Sequence, residues 1–103
     1  MYTITTVIDS INGKDNEGGI YESTFPTTET IASYLGFKKF FYESYNPEWQ
    51  YSANATEHFV SMEARENFAI MIRFPRESIS TDRVREIFDI KFQTNWFREE
   101  YIP

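Results

Sequence analysis

The stretch from Thr56 to Phe74, TEHFVSMEARENFAIMIRF, constrains the fold more than any other. Phe68, Ile70, Ile72 and Phe74 alternate with Ala69, Met71 and Arg73, the period of a strand with one buried face. Ahead of them, Thr56, His58, Val60 and Met62 alternate with Glu57, Phe59, Ser61 and Glu63. The polar link Ala64-Arg65-Glu66-Asn67 is short enough to join the two runs as a hairpin. Opposing Met62 to Phe68, Val60 to Ile70 and His58 to Ile72 gathers the apolar residues on one face. The same register sets Glu57 against Arg73 and Phe59 against Met71 on the other. A slip of one residue mixes the faces, which a buried face does not tolerate.

The flanking segments extend this sheet and cover it. Tyr2, Ile4, Thr6 and Ile8 alternate with Thr3, Thr5, Val7 and Asp9, a β-branched strand pattern. A second strand, Ile20 to Phe25, stops at Pro26, and residues 12–19 between the two read as a loop. Thr27 or Thr28 caps a helix whose stripe is Ile31, Tyr34 and Leu35. Gly36 is expected to interrupt it, leaving 37–45 as a second helical segment or an extended one, ended by Asn46-Pro47. Ser80 caps a further helix with Val84, Ile87 and Phe88 inward, and Asp89 is the hinge to a last strand, Ile90 to Trp96. The order is β-β-α-β-β-α-β over one domain, residues 1–103. It predicts an α+β fold: a mostly antiparallel sheet of about five strands with helices on one face.

Composition removes several function classes. The absence of cysteine excludes disulfides, thiolate metal sites and cysteine nucleophiles. The start, MYTITTVIDS, lacks a signal-peptide pattern, and the longest apolar run, Phe68 to Ile72, is too short to cross a bilayer. A soluble protein of the cytoplasm is expected. A net charge of −6 disfavours phosphate-backbone binding, which needs clustered Lys and Arg, and suits docking on a basic protein surface.

Three local patterns bear on chemistry. Gly19-Ile20-Tyr21 and Tyr34-Leu35-Gly36 resemble the two halves of the GIY-YIG nuclease signature. That family holds both halves on one hairpin and follows them with a catalytic arginine. Here Pro26 and a helix cap intervene, and the first arginine is Arg65, so the resemblance is set aside. Ile31 to Phe37, IASYLGF, resembles the centre of a helix-turn-helix, with Gly36 in the turn and Lys38 and Lys39 opening a recognition helix. His58 is the one histidine, and its register suits a core or edge position better than a catalyst. No metal or cofactor site is expected.

The reading that remains is a non-catalytic, acidic protein-binding module. Small acidic proteins of phages and mobile elements that inhibit nucleic-acid-binding machinery share this composition. The alternative is a helix-turn-helix regulator using residues 28–45. Residues 1–26 hold Asp9, Asp15, Glu17 and Glu22 against Lys14 alone, which is half of the net charge. Asp15 and Glu17 are therefore candidates for steering a basic partner. Trp49 and Tyr51, in the Pro-containing stretch 46–53, either plug the core edge or anchor that partner.

Overall fold

The computed structural model describes residues 1–10, 19–64 and 68–90. Five strands form one antiparallel sheet: β1 (Tyr2–Ser10), β2 (Gly19–Phe25), β3 (Gln50–Ala53), β4 (Glu57–Ala64) and β5 (Phe68–Pro75). Their order across the sheet is β2-β1-β5-β4-β3. Two helices, α1 (Thr28–Phe41) and α2 (Thr81–Phe88), complete an α+β domain. The expected succession of elements recurs, with β3 added ahead of the hairpin; the strand expected over Ile90–Trp96 lies outside the described residues apart from Ile90.

Alternation divides the sheet into two faces. Thr6, Ile72, Val60 and Tyr51 lie directly opposite one another in successive strands, and all four are buried. The neighbouring row, Val7, Met71, Ser61 and Gln50, lies on the open face, where Met71 and Gln50 are exposed. Ile31 and Leu35 of α1, Tyr42 at its C-terminal cap, and Val84 and Phe88 of α2 join the buried face in one hydrophobic core. Phe74 is fully enclosed there, and burying such a ring contributes about 1.5–3 kcal/mol.

The β4–β5 hairpin keeps the expected faces but shifts the expected pairing by two residues. Val60 opposes Ile72 rather than Ile70, Met62 opposes Ile70, and the ladder extends to Ala64–Phe68. The link is therefore the three residues 65–67, one of the common hairpin lengths. A two-residue shift leaves every side chain on its own face, so the apolar pattern cannot distinguish the two registers. Arg73 opposes Phe59 and Glu57 opposes Pro75, yet the ion pair forms diagonally, with Arg73 Nη2 3.2 Å from Glu57 Oε1.

Helix α1 corrects a second expectation. It runs through Gly36 without a break, capped by Thr27, whose hydroxyl accepts from the Thr30 backbone N–H. It ends at Tyr42, one 3₁₀ turn follows over Glu43–Tyr45, and Asn46 takes a left-handed conformation at φ 57°. A helix-turn-helix needs a turn at Gly36, and a continuous 14-residue helix has none. Ser80 caps α2 by accepting from the Arg83 backbone N–H, and Asp89 ends it at φ 57°.

Candidate functional site

The unusual surface of the molecule is aromatic. Phe37, Phe40 and Phe41 on α1 are 57%, 72% and 55% exposed, and Tyr45 in the following turn is 47% exposed. At 3.6 residues per turn, α1 turns Ile31, Leu35 and Tyr42 into the core, which sets these phenylalanines on its flank and outer side. Phe37 and Phe41 stack with centroids 5.9 Å apart, Phe41 meets the buried Tyr42 edge-on at 4.9 Å, and Tyr42 packs on Tyr45 at 6.0 Å. Such grouped exposed rings differ from the scatter of single apolar residues usual on a protein surface.

The cluster adjoins the sheet edge at β2. Tyr34 lies one turn before Phe37 and two before Phe41, on the same side of α1. Its ring packs against Phe25 of β2 at 5.1 Å, and its hydroxyl lies 2.6 Å from Thr6 Oγ1 on β1. Thr6 in turn opposes Tyr21 of β2, which is itself exposed. The exposed rings of α1 therefore continue a line that begins over β2.

Lys38 is one of the two residues, with Lys39, that the helix-turn-helix reading sends to DNA. It is half-buried instead, its ammonium 5.4 Å from the Tyr34 ring centroid and 5.9 Å from that of Tyr42, and burial lowers its pKa. A cation held over two rings is poorly placed to contact a phosphate.

Of the two roles open to Trp49 and Tyr51, the core plug holds and the exposed anchor does not. Trp49 is 8% exposed and packs on Phe88 with centroids 4.8 Å apart; Tyr51 is 3% exposed. The cause is β3. Trp49, Tyr51 and Ala53 point inward while Gln50 and Ser52 point outward, so a short strand replaces the expected loop. That alternation was present in the sequence, but four residues beside Pro47 fall at the lower limit of strand length. Asp15 and Glu17 lie outside the described residues.

The buried His58 sits in a hydrogen-bonded chain with Tyr51, Thr81 and the Ile79 carbonyl. The Tyr51 hydroxyl lies 2.8 Å from His58 Nδ1 and 3.1 Å from Thr81 Oγ1. His58 Nε2 lies 2.9 Å from the Ile79 carbonyl, which only accepts, so Nε2 carries the proton. In the neutral imidazole Nδ1 then accepts from Tyr51, whose oxygen accepts from Thr81. Burial lowers the His58 pKa; the Ile79 carbonyl opposes this, and the Arg76 charge adds to it. Burial also raises that of Tyr51, against the Thr81 hydrogen bond. Both imidazole nitrogens are engaged by the protein, which ties β3 and β4 to the start of α2 and leaves neither nitrogen for a substrate.

An open groove on the other sheet face is lined by Val7, Glu48, Gln50, Ser61, Glu63 and Met71. Glu48 and Glu63 are exposed there. Among the described residues no group of three metal-ligating side chains is present, and no helix is long and apolar enough to cross a membrane. No family model, no curated protein and no solved structure matches the chain.

Proposed function

We propose that this protein is a non-catalytic protein-binding module whose contact surface is the exposed aromatic side of α1. The observation that carries the reading is the exposure of Phe37, Phe40, Phe41 and Tyr45 within nine residues of the chain. Aromatic rings supply most of the anchoring energy in protein interfaces, because they bury a large area while few rotamers are lost. Phe37, Phe40 and Phe41 follow the i, i+3, i+4 spacing by which a helix face enters an apolar groove. The net charge of −6 adds steering toward a basic partner and raises the rate of encounter more than the affinity.

The test is comparative capture from a cell lysate. The wild-type protein, a Phe37→Ser/Phe41→Ser variant and a Met71→Glu control on the open sheet face are immobilised in parallel. A protein retained by the wild type and the control, and depleted at least tenfold by the double variant, is the expected result. Identical retention by all three, with circular dichroism unchanged, overturns the reading.

A further inference from the structure

We infer that the β2 edge of the sheet accepts an added strand: an extended segment of a partner protein that places a Lys or Arg opposite Glu22 and apolar residues under the α1 rings. This rests on the aromatic contact surface proposed above and names how a partner engages it.

The two sheet edges differ. β3 is four residues long and has Tyr51 and Ala53 buried, and a short edge strand is a poor template for pairing. β2 is seven residues long, and its five residues from Ile20 to Thr24 are all exposed. Among the described residues it pairs with β1 alone. The sequence GIYESTF contains no Lys, no Pro and no inward charge, so the one edge protection β2 carries is the outward carboxylate of Glu22. Its backbone presents a row of donors and acceptors to a further strand.

The rings of α1 fit the same occupant. Tyr34 reaches across β2 to Thr6, which places that side of the helix above the edge strand. Phe37 and Phe41 continue Tyr34's side of the helix, and both are more than half exposed. A strand added about 4.8 Å beyond β2 supplies a floor for them, with every second side chain turned toward Tyr21 and the rings.

Charge selects the partner. Glu22 opposes Thr5 on the open face, and among the described residues it has no ion-pair partner. Because β2 contains neither Lys nor Arg, no register of β2 on the β2 of a second copy supplies a cation. Symmetric pairing centred on Glu22 sets two carboxylates face to face. A foreign strand with Lys or Arg at that position completes a cross-strand pair instead.

The probe is a capped synthetic peptide containing Thr-Val-Lys-Leu-Val, which in antiparallel alignment sets Thr against Thr24, Lys against Glu22 and Val against Ile20. Binding is followed by fluorescence anisotropy and by amide chemical shifts of the labelled protein. The expected result is shifts concentrated on residues 19–25, and binding abolished when alternate peptide nitrogens are methylated. A peptide with Glu in place of Lys binds weaker by roughly three- to tenfold, and Glu22→Lys reverses that preference. The inference is overturned by no binding at millimolar peptide, by equal binding of the methylated peptide, or by shifts centred elsewhere. Concentration-dependent shifts of β2 without peptide, the mark of a second copy, also overturn it. If the peptide fails while Phe37→Ser/Phe41→Ser still loses a lysate partner, strand addition falls and the aromatic surface stands.

Discussion

The Tyr34 hydroxyl stands 2.6 Å from Thr6 Oγ1, a single hydrogen bond that fixes α1 across β2 onto the central part of the sheet. Thr6 is buried, so losing its partner leaves a buried hydroxyl unpaired. Tyr34→Phe is expected to lower the unfolding free energy by about 1–3 kcal/mol. Adding Thr6→Val removes both partners and should recover part of that loss. Urea denaturation of the two single variants and the double variant measures the coupling; strict additivity contradicts it.

Gly36 gives a sharper test of the helix. An added Cβ there meets nothing within 4 Å, and the position is inside α1. Gly36→Ala should therefore stabilise by about 0.5–1 kcal/mol, the usual gain in a helix interior. A helix-turn-helix with Gly36 in the turn requires the opposite sign. A fall in thermal midpoint contradicts the continuous helix.

The neutral His58 makes stability depend on pH. Its pKa is lowered in the fold, so below about pH 6.5 the unfolded chain takes up the proton first. The stability contributed by the neutral imidazole is whole above that pH. It is lost progressively as pH falls from there through the folded-state pKa. Urea midpoints between pH 8 and 5 should decline more steeply for wild type than for His58→Gln. Parallel curves contradict a neutral, buried imidazole.

How much was legible in the sequence depends on the residue. Phe74, Ile72 and Val60 announced a buried face because a strand alternates with period two, and the structure holds them at the centre of the core. The pairing partner was not legible, since a shift of two keeps every side chain on its face. The burial of Trp49 and Tyr51 fits one of the two roles open to them, but the strand β3 was not legible because Pro47 outweighed a four-residue alternation. Gly36 was misread because a glycine in a helical pattern is either an interruption or merely a weak helix former, and propensity does not separate the two. The aromatic surface was hidden for a related reason: Phe37, Phe40 and Phe41 share the spacing of a core stripe, and only the positions of Ile31, Leu35 and Tyr42 show which side α1 turns inward.

The central claim is that the rings of α1 serve contact rather than the fold, and the most direct measurement is the stability of Phe37→Ser/Phe41→Ser. Serine and phenylalanine have similar helix propensity, so the substitution reports chiefly on packing. With both rings more than half exposed, the predicted loss by urea denaturation is below about 1 kcal/mol for the pair. A loss of about 3 kcal/mol or more, the cost of deleting a core phenylalanine, would mean that the rings belong to the core and would contradict the account.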